Sequence, residues 1–248
     1  MRIDVLLGEA PVASADVADR VVVVIDVLRA ATTVATALAN GAGAVIPFES
    51  VEETAGRARA YARGEVKLGG ERRMLRITGF DLGNSPLEYT AAAVAGQTIL
   101  YTTTNGTAAL TATHGARACF FGAFVNVSAT ARAIRAARGA DADVTIVCAG
   151  HERHLALEDV VCAGRLVRAL AEGRDDVVRG DGARVAELVE RPFVGGIASV
   201  AHEAAHARTL ISAGFEPDVQ ACLTLDHFER AVRYHDRQLQ LDAMIAPR

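Results

Sequence analysis

The feature that most constrains the fold is the run Val21-Val22-Val23-Val24-Ile25, which Asp26 follows at once. Five β-branched residues in succession are typical of a strand that is buried on both faces, as in a parallel sheet covered by helices. Strand, loop and helix patterns then alternate along most of the chain, which predicts an α/β fold with a largely parallel sheet. A weak similarity between residues 40–45 and 114–119 leaves open two related α/β halves.

Length and composition limit the class of protein. A chain of 248 residues, 51% of them hydrophobic, can bury a large core. We expect a single domain over residues 1–248, with the charged stretch 174–191 as the candidate for a sub-domain boundary. The net charge of −4 and the scattered arginines give no sign of a nucleic-acid-binding surface. No apolar run reaches the roughly 18 residues that a membrane span requires.

The first residues and the cysteines predict a cytoplasmic location. Residues 1–4 lack the charged and apolar regions of a signal peptide. The cysteines show no close pairing and no C-x-x-C spacing, so we expect reduced thiols. They are Cys119, Cys148, Cys162 and Cys222.

Polar loops follow several predicted strands and offer the groups of an anion or metal site. These loops are 26–33, 69–72, 81–86, 102–107 and 148–159. The loop 102–107 combines hydroxyls, a glycine and a helix start, and its backbone N–H groups suit a phosphate or sulfonate. The alternative is an ordinary helix capped by Ser or Thr. Carboxylates without a nucleotide-binding motif fit a hard cation such as Mg²⁺, although Asp26 alone is also compatible with a solvated residue paired with Arg29.

Two known phosphatase signatures are absent. The haloacid-dehalogenase type requires a second Asp two residues after the strand-end Asp, and Leu28 stands there. The cysteine phosphatase loop requires five residues between Cys and Arg, whereas four residues separate Cys148 from Arg153. Neither mechanism is therefore predicted.

A sharper competing motif is H-E-x-x-H, formed by His202, Glu203 and His206. On a continuous helix this spacing places two imidazoles on one face for zinc and a Glu for water activation. This leaves open a zinc metallopeptidase. The other interpretation is a surface helix over residues 197–212 whose apolar side chains pack inward.

The polar loops taken together resemble those of the 2-phosphosulfolactate phosphatase family. The matching segments are 26–30, 69–72, 79–86, 102–107, and 148–150 with 157–159, and their order and spacing agree from near the N-terminus to about residue 164. The resemblance implies a three-layer α/β/α architecture. It also implies a Mg²⁺-dependent phosphatase that releases phosphate from 2-phosphosulfolactate, a step toward coenzyme M.

Two departures from the family pattern bear on the substrate. Arg73-Met74 stands where we expect a turn that contains glycine. The segment His151-Glu152-Arg153-His154 is more charged than we expect in that loop. Both changes are compatible with an altered substrate and unaltered chemistry.

The leading hypothesis is a metal-assisted phosphomonoesterase. Asp26 is the first choice as metal ligand, followed by Glu71 and Glu158. Asp81 or Asp159 would protonate the leaving oxygen, and Cys148 is a candidate nucleophile. The expected substrate-binding residues are Arg29, Arg72, Asn84, Ser85, Thr103, Thr104, Asn105, Gly106 and Thr107.

We expect the ligand to be a small phosphorylated acid with a second strong anion, because the arginines and the 102–107 loop offer more positive potential than one phosphate beside Mg²⁺ needs. A non-catalytic protein that binds anionic metabolites is the third hypothesis. No nucleic-acid or membrane partner is expected, and a homo-oligomer is left open.

Overall fold

The run of β-branched residues forms strand β2 (Val21–Ile25), and all five of its residues are buried. Burial at every position means that both faces of the sheet are covered there. The computed structural model describes residues 1–8, 10–62, 64–139, 142–152 and 154–242. Within them the chain is a three-layer α/β/α fold built on one large mixed sheet. The predicted fold class is confirmed.

The described strands all belong to this sheet. They are β1 (Arg2–Leu6), β2, β3 (Ala44–Pro47), β4 (Val66–Arg72), β5 (Leu75–Arg76), β6 (Thr98–Thr102), β7 (Ala118–Gly122), β8 (Val144–Cys148), β9 (Val178–Arg179), β10 (Val232–His235) and β11 (Gln238–Leu241). Their order across the sheet is β5-β4-β6-β3-β11-β10-β7-β2-β8-β1-β9.

The described helices connect and cover these strands. They are α1 (Ser14–Val17), α2 (Ala30–Ala39), α3 (Val51–Ala58), α4 (Ala91–Val94), α5 (Gly106–Thr111), α6 (Val127–Arg138), α7 (Leu157–Ala171), α8 (Asp181–Glu190), α9 (Val200–Glu203), α10 (Ala205–Ser212) and α11 (Glu216–Cys222). None of them, in the described ranges, is long and apolar enough to cross a lipid bilayer.

The sheet consists of two parallel blocks separated by an antiparallel hairpin. One block is β4-β6-β3 and the other is β7-β2-β8-β1-β9. The hairpin β10–β11 lies between them and pairs antiparallel with β7 on one side and β3 on the other. Three successive antiparallel pairings mean that the two blocks run in opposite directions.

Local sequence accounts for the ends of two helices. Helix α6 ends at Arg138, before Gly139, and the Ser50 hydroxyl accepts a hydrogen bond from the backbone N–H of Glu53, 3.0 Å away, at the start of α3. The segment 174–191 contributes β9, which pairs with β1, and α8, which packs against α7 and β1.

Residues 69–72, which we expected to form a loop, are the end of strand β4, so this prediction was wrong. Gly70 has φ +138°, and a Cβ at this position would lie 1.9 Å from the carbonyl oxygen of Thr102. The glycine therefore lets β4 lie close against β6, a contact that a polar, glycine-rich sequence does not suggest.

The turn between β4 and β5 explains why a glycine is expected there. Arg73 and Met74 both have positive φ, +51° and +71°. Two-residue hairpin turns of this kind favour Gly, Asn or Asp because a Cβ disfavours the left-handed region. The chain thus has two long side chains in a backbone conformation that usually excludes them.

Candidate functional site

One cavity of about 800 Å³ collects most of the polar residues that the sequence analysis singled out. The loops after β2, β6 and β8, the end of β4 and helix α10 all contribute to its wall. Its lining includes Asp26, Arg29, Glu71, Arg72, Arg73, Met74, Asn84, Thr103, Thr104, Asn105, His151, Glu152, His206 and Leu210. The loops after β2 and β6 therefore meet although their strands belong to blocks that run in opposite directions.

Asp26 is the carboxylate at the end of β2, and only 6% of it is exposed. Its Oδ1 accepts a hydrogen bond from the backbone N–H of Ala30, 3.2 Å away. The pKa of Asp26 is raised to about 6, mainly by burial and to a smaller extent by the nearby Glu71 and Glu158, whereas the Ala30 bond and His206 lower it. The carboxylate of Asp26 therefore lies in the cavity wall, where its charge is poorly solvated.

Gly106 makes room for the Asp26 carboxylate. A Cβ at position 106 would lie 2.6 Å from Asp26 Oδ2 and 3.2 Å from the Cβ of Ala30. The start of α5 therefore contacts Asp26 through backbone alone. Gly106, expected to bind substrate, serves in this structure to let the two loops meet.

Glu71 joins the β4 hairpin to the loop after β6. Its Oε1 accepts hydrogen bonds from both the backbone N–H and the hydroxyl of Thr104, at 2.9 and 2.8 Å. Its Oε2 accepts the backbone N–H of Met74 at 2.9 Å. Both carboxylate oxygens are occupied, and both donors of Thr104, which we expected to point at a phosphate, are directed to Glu71 instead.

The other threonines of this loop differ in whether their hydroxyl groups can bind a ligand. Thr107 donates its hydroxyl to the carbonyl oxygen of Thr103, 3.1 Å away. The buried hydroxyl of Thr103 has no hydrogen-bond partner among the described residues, although Thr103 lines the cavity. A buried hydroxyl without a partner is unfavourable, so Thr103, rather than Thr104 or Thr107, is the hydroxyl that a ligand can satisfy.

Arg29 is held by groups that the sequence analysis did not identify. Its Nη1 donates to Asp218 Oδ2 at 2.6 Å, and its Nη2 donates to the carbonyl oxygen of Met74 at 2.7 Å. The guanidinium lies 4.4 Å from the ring centre of Phe215. Ser85, which is absent from the cavity lining, donates its hydroxyl to Asp218 Oδ1 at 2.7 Å.

Arg72 and Asn84 both line the cavity, as predicted for substrate-binding residues. Arg72 donates to two carbonyl oxygens and to the hydroxyl of Thr102. Asn84 is buried, and its Oδ1 accepts the hydroxyl of Tyr101. That bond leaves the amide N–H groups of Asn84 as its donors toward a ligand.

Glu158, His206 and His151 form a second polar group at the cavity. His206 Nδ1 is 3.1 Å from Oε1 of the buried Glu158, and the His206 ring stacks on His151 with centroids 3.9 Å apart. Within the part of the chain that the structure describes, the buried Glu158 Oε2 and His151 Nδ1 have no hydrogen-bond partner. Burial, together with the nearby His206 charge, lowers the pKa of His151. Arg153 of the same loop lies outside the described residues.

Three of the expected catalytic residues do not line the cavity, and they are Asp81, Cys148 and Asp159. Asp81 is exposed, and its Oδ2 accepts the backbone N–H of Leu68 at 2.8 Å. Cys148 is fully buried, and burial raises the pKa of its thiol well above the usual value. Neither residue belongs to the cavity lining. The structure thus does not bring the expected acid or the expected thiol nucleophile to the site.

Asp159 connects two loops instead of facing the cavity. Its Oδ1 accepts the backbone N–H of Val27 at 2.9 Å, and its Oδ2 accepts that of Gly150 at 3.1 Å. Burial, with the neighbouring Glu158 and Asp26, raises the pKa of Asp159 well above its usual range. This carboxyl fixes the loop after β2 against the loop after β8.

The H-E-x-x-H segment does not form the helical face that a zinc site needs. Ala204 is extended, with φ −74° and ψ 125°, and separates α9 from α10. His202 and Glu203 are exposed at the end of α9, whereas His206 lies in the first turn of α10 and contacts Glu158. The expected continuous helix over 197–212 was wrong, and with it the geometry for zinc.

Comparisons with known proteins identify the family of the chain. A family model described as 2-phosphosulpholactate phosphatase matches residues 9–237. A "Probable 2-phosphosulfolactate phosphatase" of Symbiobacterium thermophilum is 41% identical over 210 residues, 85% of this chain and 89% of that protein. Proteins with the same description from Clostridium beijerinckii and Thermotoga maritima are 33% and 39% identical, over 96% and 85% of this chain and 99% and 87% of theirs. The chain therefore belongs to the 2-phosphosulfolactate phosphatase family.

Proposed function

We propose that this protein is a phosphoric monoester hydrolase that releases phosphate from 2-phosphosulfolactate or from a similar small phosphorylated acid with a second anionic group. The match to the family model over residues 9–237 carries this proposal. The cavity supports it, because the buried carboxylate of Asp26 and the unpartnered hydroxyl of Thr103 line the same space. A phosphoryl group there would find a donor and a site for a cation.

Mg²⁺ would be held by Asp26, which lines the cavity, with the buried Glu158, which is outside the lining, as the second carboxylate. The described residues contain no preassembled cluster of three His, Cys, Asp or Glu side chains. Mg²⁺ is, however, usually held by one or two carboxylates together with water and substrate phosphate oxygens. The buried Glu158 Oε2 meets no hydrogen-bond partner in the described ranges, whereas both oxygens of Glu71 are occupied. The ion would neutralise phosphoryl charge and help to activate water.

We expect phosphate release from 2-phosphosulfolactate to require Mg²⁺, to stop in EDTA and to return when Mg²⁺ is added in excess. Released inorganic phosphate is the measurement. Full turnover in the chelator would contradict the metal role. Thermal stabilisation of the protein by sulfolactate without hydrolysis of any phosphate ester would instead favour a non-catalytic binding protein.

We assign the proton for the leaving oxygen to His206, because Asp81 and Asp159 lie outside the cavity lining. The contact of its Nδ1 with Glu158 orients the ring and leaves Nε2 as the nitrogen available to a bound substrate. General acid catalysis by a positioned side chain contributes typically about 100-fold or more. His206 is thus a proposed catalytic residue that the sequence suggested only for zinc.

His206→Gln is expected to lower kcat about 100-fold for an alkyl ester such as 2-phospholactate, and much less for p-nitrophenyl phosphate. The reason is that p-nitrophenolate leaves without a proton, so it does not need the acid. Steady-state kinetics on both esters provides the measurement. The matched control is His202→Gln, which removes the exposed histidine of the same segment and should leave both rates unchanged. Equal losses on the two esters would contradict the acid role.

A further inference from the structure

We propose that Arg72, and not Arg29, recognises the second anionic group of the substrate, a carboxylate or sulfonate. This inference rests on the proposed phosphatase function and adds the residue that determines its specificity. The two guanidinium groups line the same cavity. The difference between their surroundings that matters for binding an anion is the presence of a carboxylate partner.

The charge of Arg29 is already neutralised within the protein. Its Nη1 lies 2.6 Å from Asp218 Oδ2, and the side chains of both residues are at most 6% exposed. In such a buried pair the carboxylate offsets the field of the guanidinium at a third group nearby. Arg29 also donates to the Met74 carbonyl and lies over Phe215. It therefore fixes α11 and the β4–β5 turn against the loop after β2.

Arg72 is held by neutral oxygens only. It donates to the carbonyl oxygens of Glu71 and Glu49, at 2.8 and 3.2 Å, and to Thr102 Oγ1 at 2.9 Å. Among the described residues it forms no ion pair with a carboxylate. The three bonds fix the guanidinium in place without cancelling its charge.

The neighbouring carboxylate of Glu71 does not compete with a ligand for Arg72. Glu71 directs its Oε1 to Thr104 and its Oε2 to Met74, so both of its oxygens are already engaged. The guanidinium of Arg72 keeps its Nε–H and one Nη1–H as donors. A half-buried cation with fixed orientation and remaining donors favours an anion over a neutral group, because a neutral group leaves its charge unpaired.

The test compares two esters that differ in the second anion, 2-phospholactate and glycerol 2-phosphate, by their kcat/KM at fixed Mg²⁺. Arg72→Gln should lower the preference for 2-phospholactate about tenfold or more, because a hydrogen bond to a charged group is lost, and should change the rate with glycerol 2-phosphate little. Arg72→Lys should keep most of the preference, since it keeps the charge. The matched control is Arg76→Gln on the same hairpin, where Arg76 is exposed and outside the cavity lining.

A purely structural role for Arg72 predicts a different result, in which Arg72→Gln and Arg72→Lys lower both rates equally and leave the preference unchanged. That result would overturn the inference while the phosphatase function stands. Calorimetric titration with sulfolactate separates the two proposals further, because binding needs no turnover. If the wild-type protein hydrolyses no ester but binds sulfolactate, at least tenfold weaker binding by Arg72→Gln supports the inference although the proposed function has failed. If Arg72→Gln binds sulfolactate as tightly as the wild type, the inference about Arg72 is contradicted.

Discussion

Asp26→Asn is expected to lower the rate of phosphate release by about a hundredfold to a thousandfold, the usual effect of removing one preorganised electrostatic group. The substitution keeps the shape of the side chain and removes its charge. Asp26 is the first proposed Mg²⁺ ligand and lines the cavity. Steady-state kinetics at saturating Mg²⁺ is the measurement. Wild-type activity in a folded variant would exclude Asp26 from the centre of the site.

The same variant should be more stable than the wild type at neutral pH without added metal. Burial raises the pKa of Asp26 from 3.8 to about 6, so folding favours the protonated carboxyl. The protonated carboxyl therefore contributes to the free energy of unfolding below pH 3.8, and this contribution is lost as the pH rises through about 6. Asn carries no charge at any pH. The melting temperature of the Asp26→Asn variant should therefore exceed that of the wild type at pH 7, and the difference should shrink at pH 4. Asp236→Asn, on an exposed turn, is the control and should change neither activity nor stability.

Arg29→Met is expected to destabilise the protein by about 3–5 kcal/mol, the usual result of removing one partner of a buried ion pair. Asp218 would stay buried with its charge uncompensated, and only the hydroxyl of Ser85 would still contact it. Chemical denaturation measures the free energy of unfolding. The loss should appear in stability before any substrate is added.

The double variant Arg29→Met, Asp218→Asn should recover part of this loss, because no unpaired charge remains. Replacing a whole buried pair is often close to neutral, whereas breaking it is not. Arg174→Met is the matched control, since it breaks the ion pair with Asp176 on the exposed surface and should change the free energy of unfolding little. A variant Arg29→Met as stable as this control would show that the pair contributes nothing.

The sequence alone was enough to place Asp26 at the end of a buried strand, because the signal for that strand is local. The β-branched run predicts β2. Asp26 directly follows this run, so it lies at the carboxyl end of the strand. Glu71 lines the cavity, but it lies at the end of a strand and not in the loop that we expected. Its glycine-rich surroundings indicated a loop, whereas the close approach of Gly70 to Thr102 that makes the strand is a contact across the sheet.

The partners that determine what each side chain can do were not predictable from local pattern. Asp218 lies 189 residues from Arg29, in a stretch whose sequence carries no motif. His206 was noticed through its spacing from His202, yet its role depends on Glu158, which is 48 residues away. In both cases tertiary packing decides which charges meet, and one sequence alone contains no signal for that.

The hairpin β10–β11 has a consequence for the order in which the molecule is completed during synthesis. It is formed by residues 232–241, the last strands of the described chain, yet it lies in the middle of the sheet. Until it emerges from the ribosome, β3 and β7 each present an unpaired edge, and such edges pair readily with other chains. The two blocks stay unjoined until residues 232–241 have been synthesised, and a chain that ends before residue 232 would leave both edges exposed.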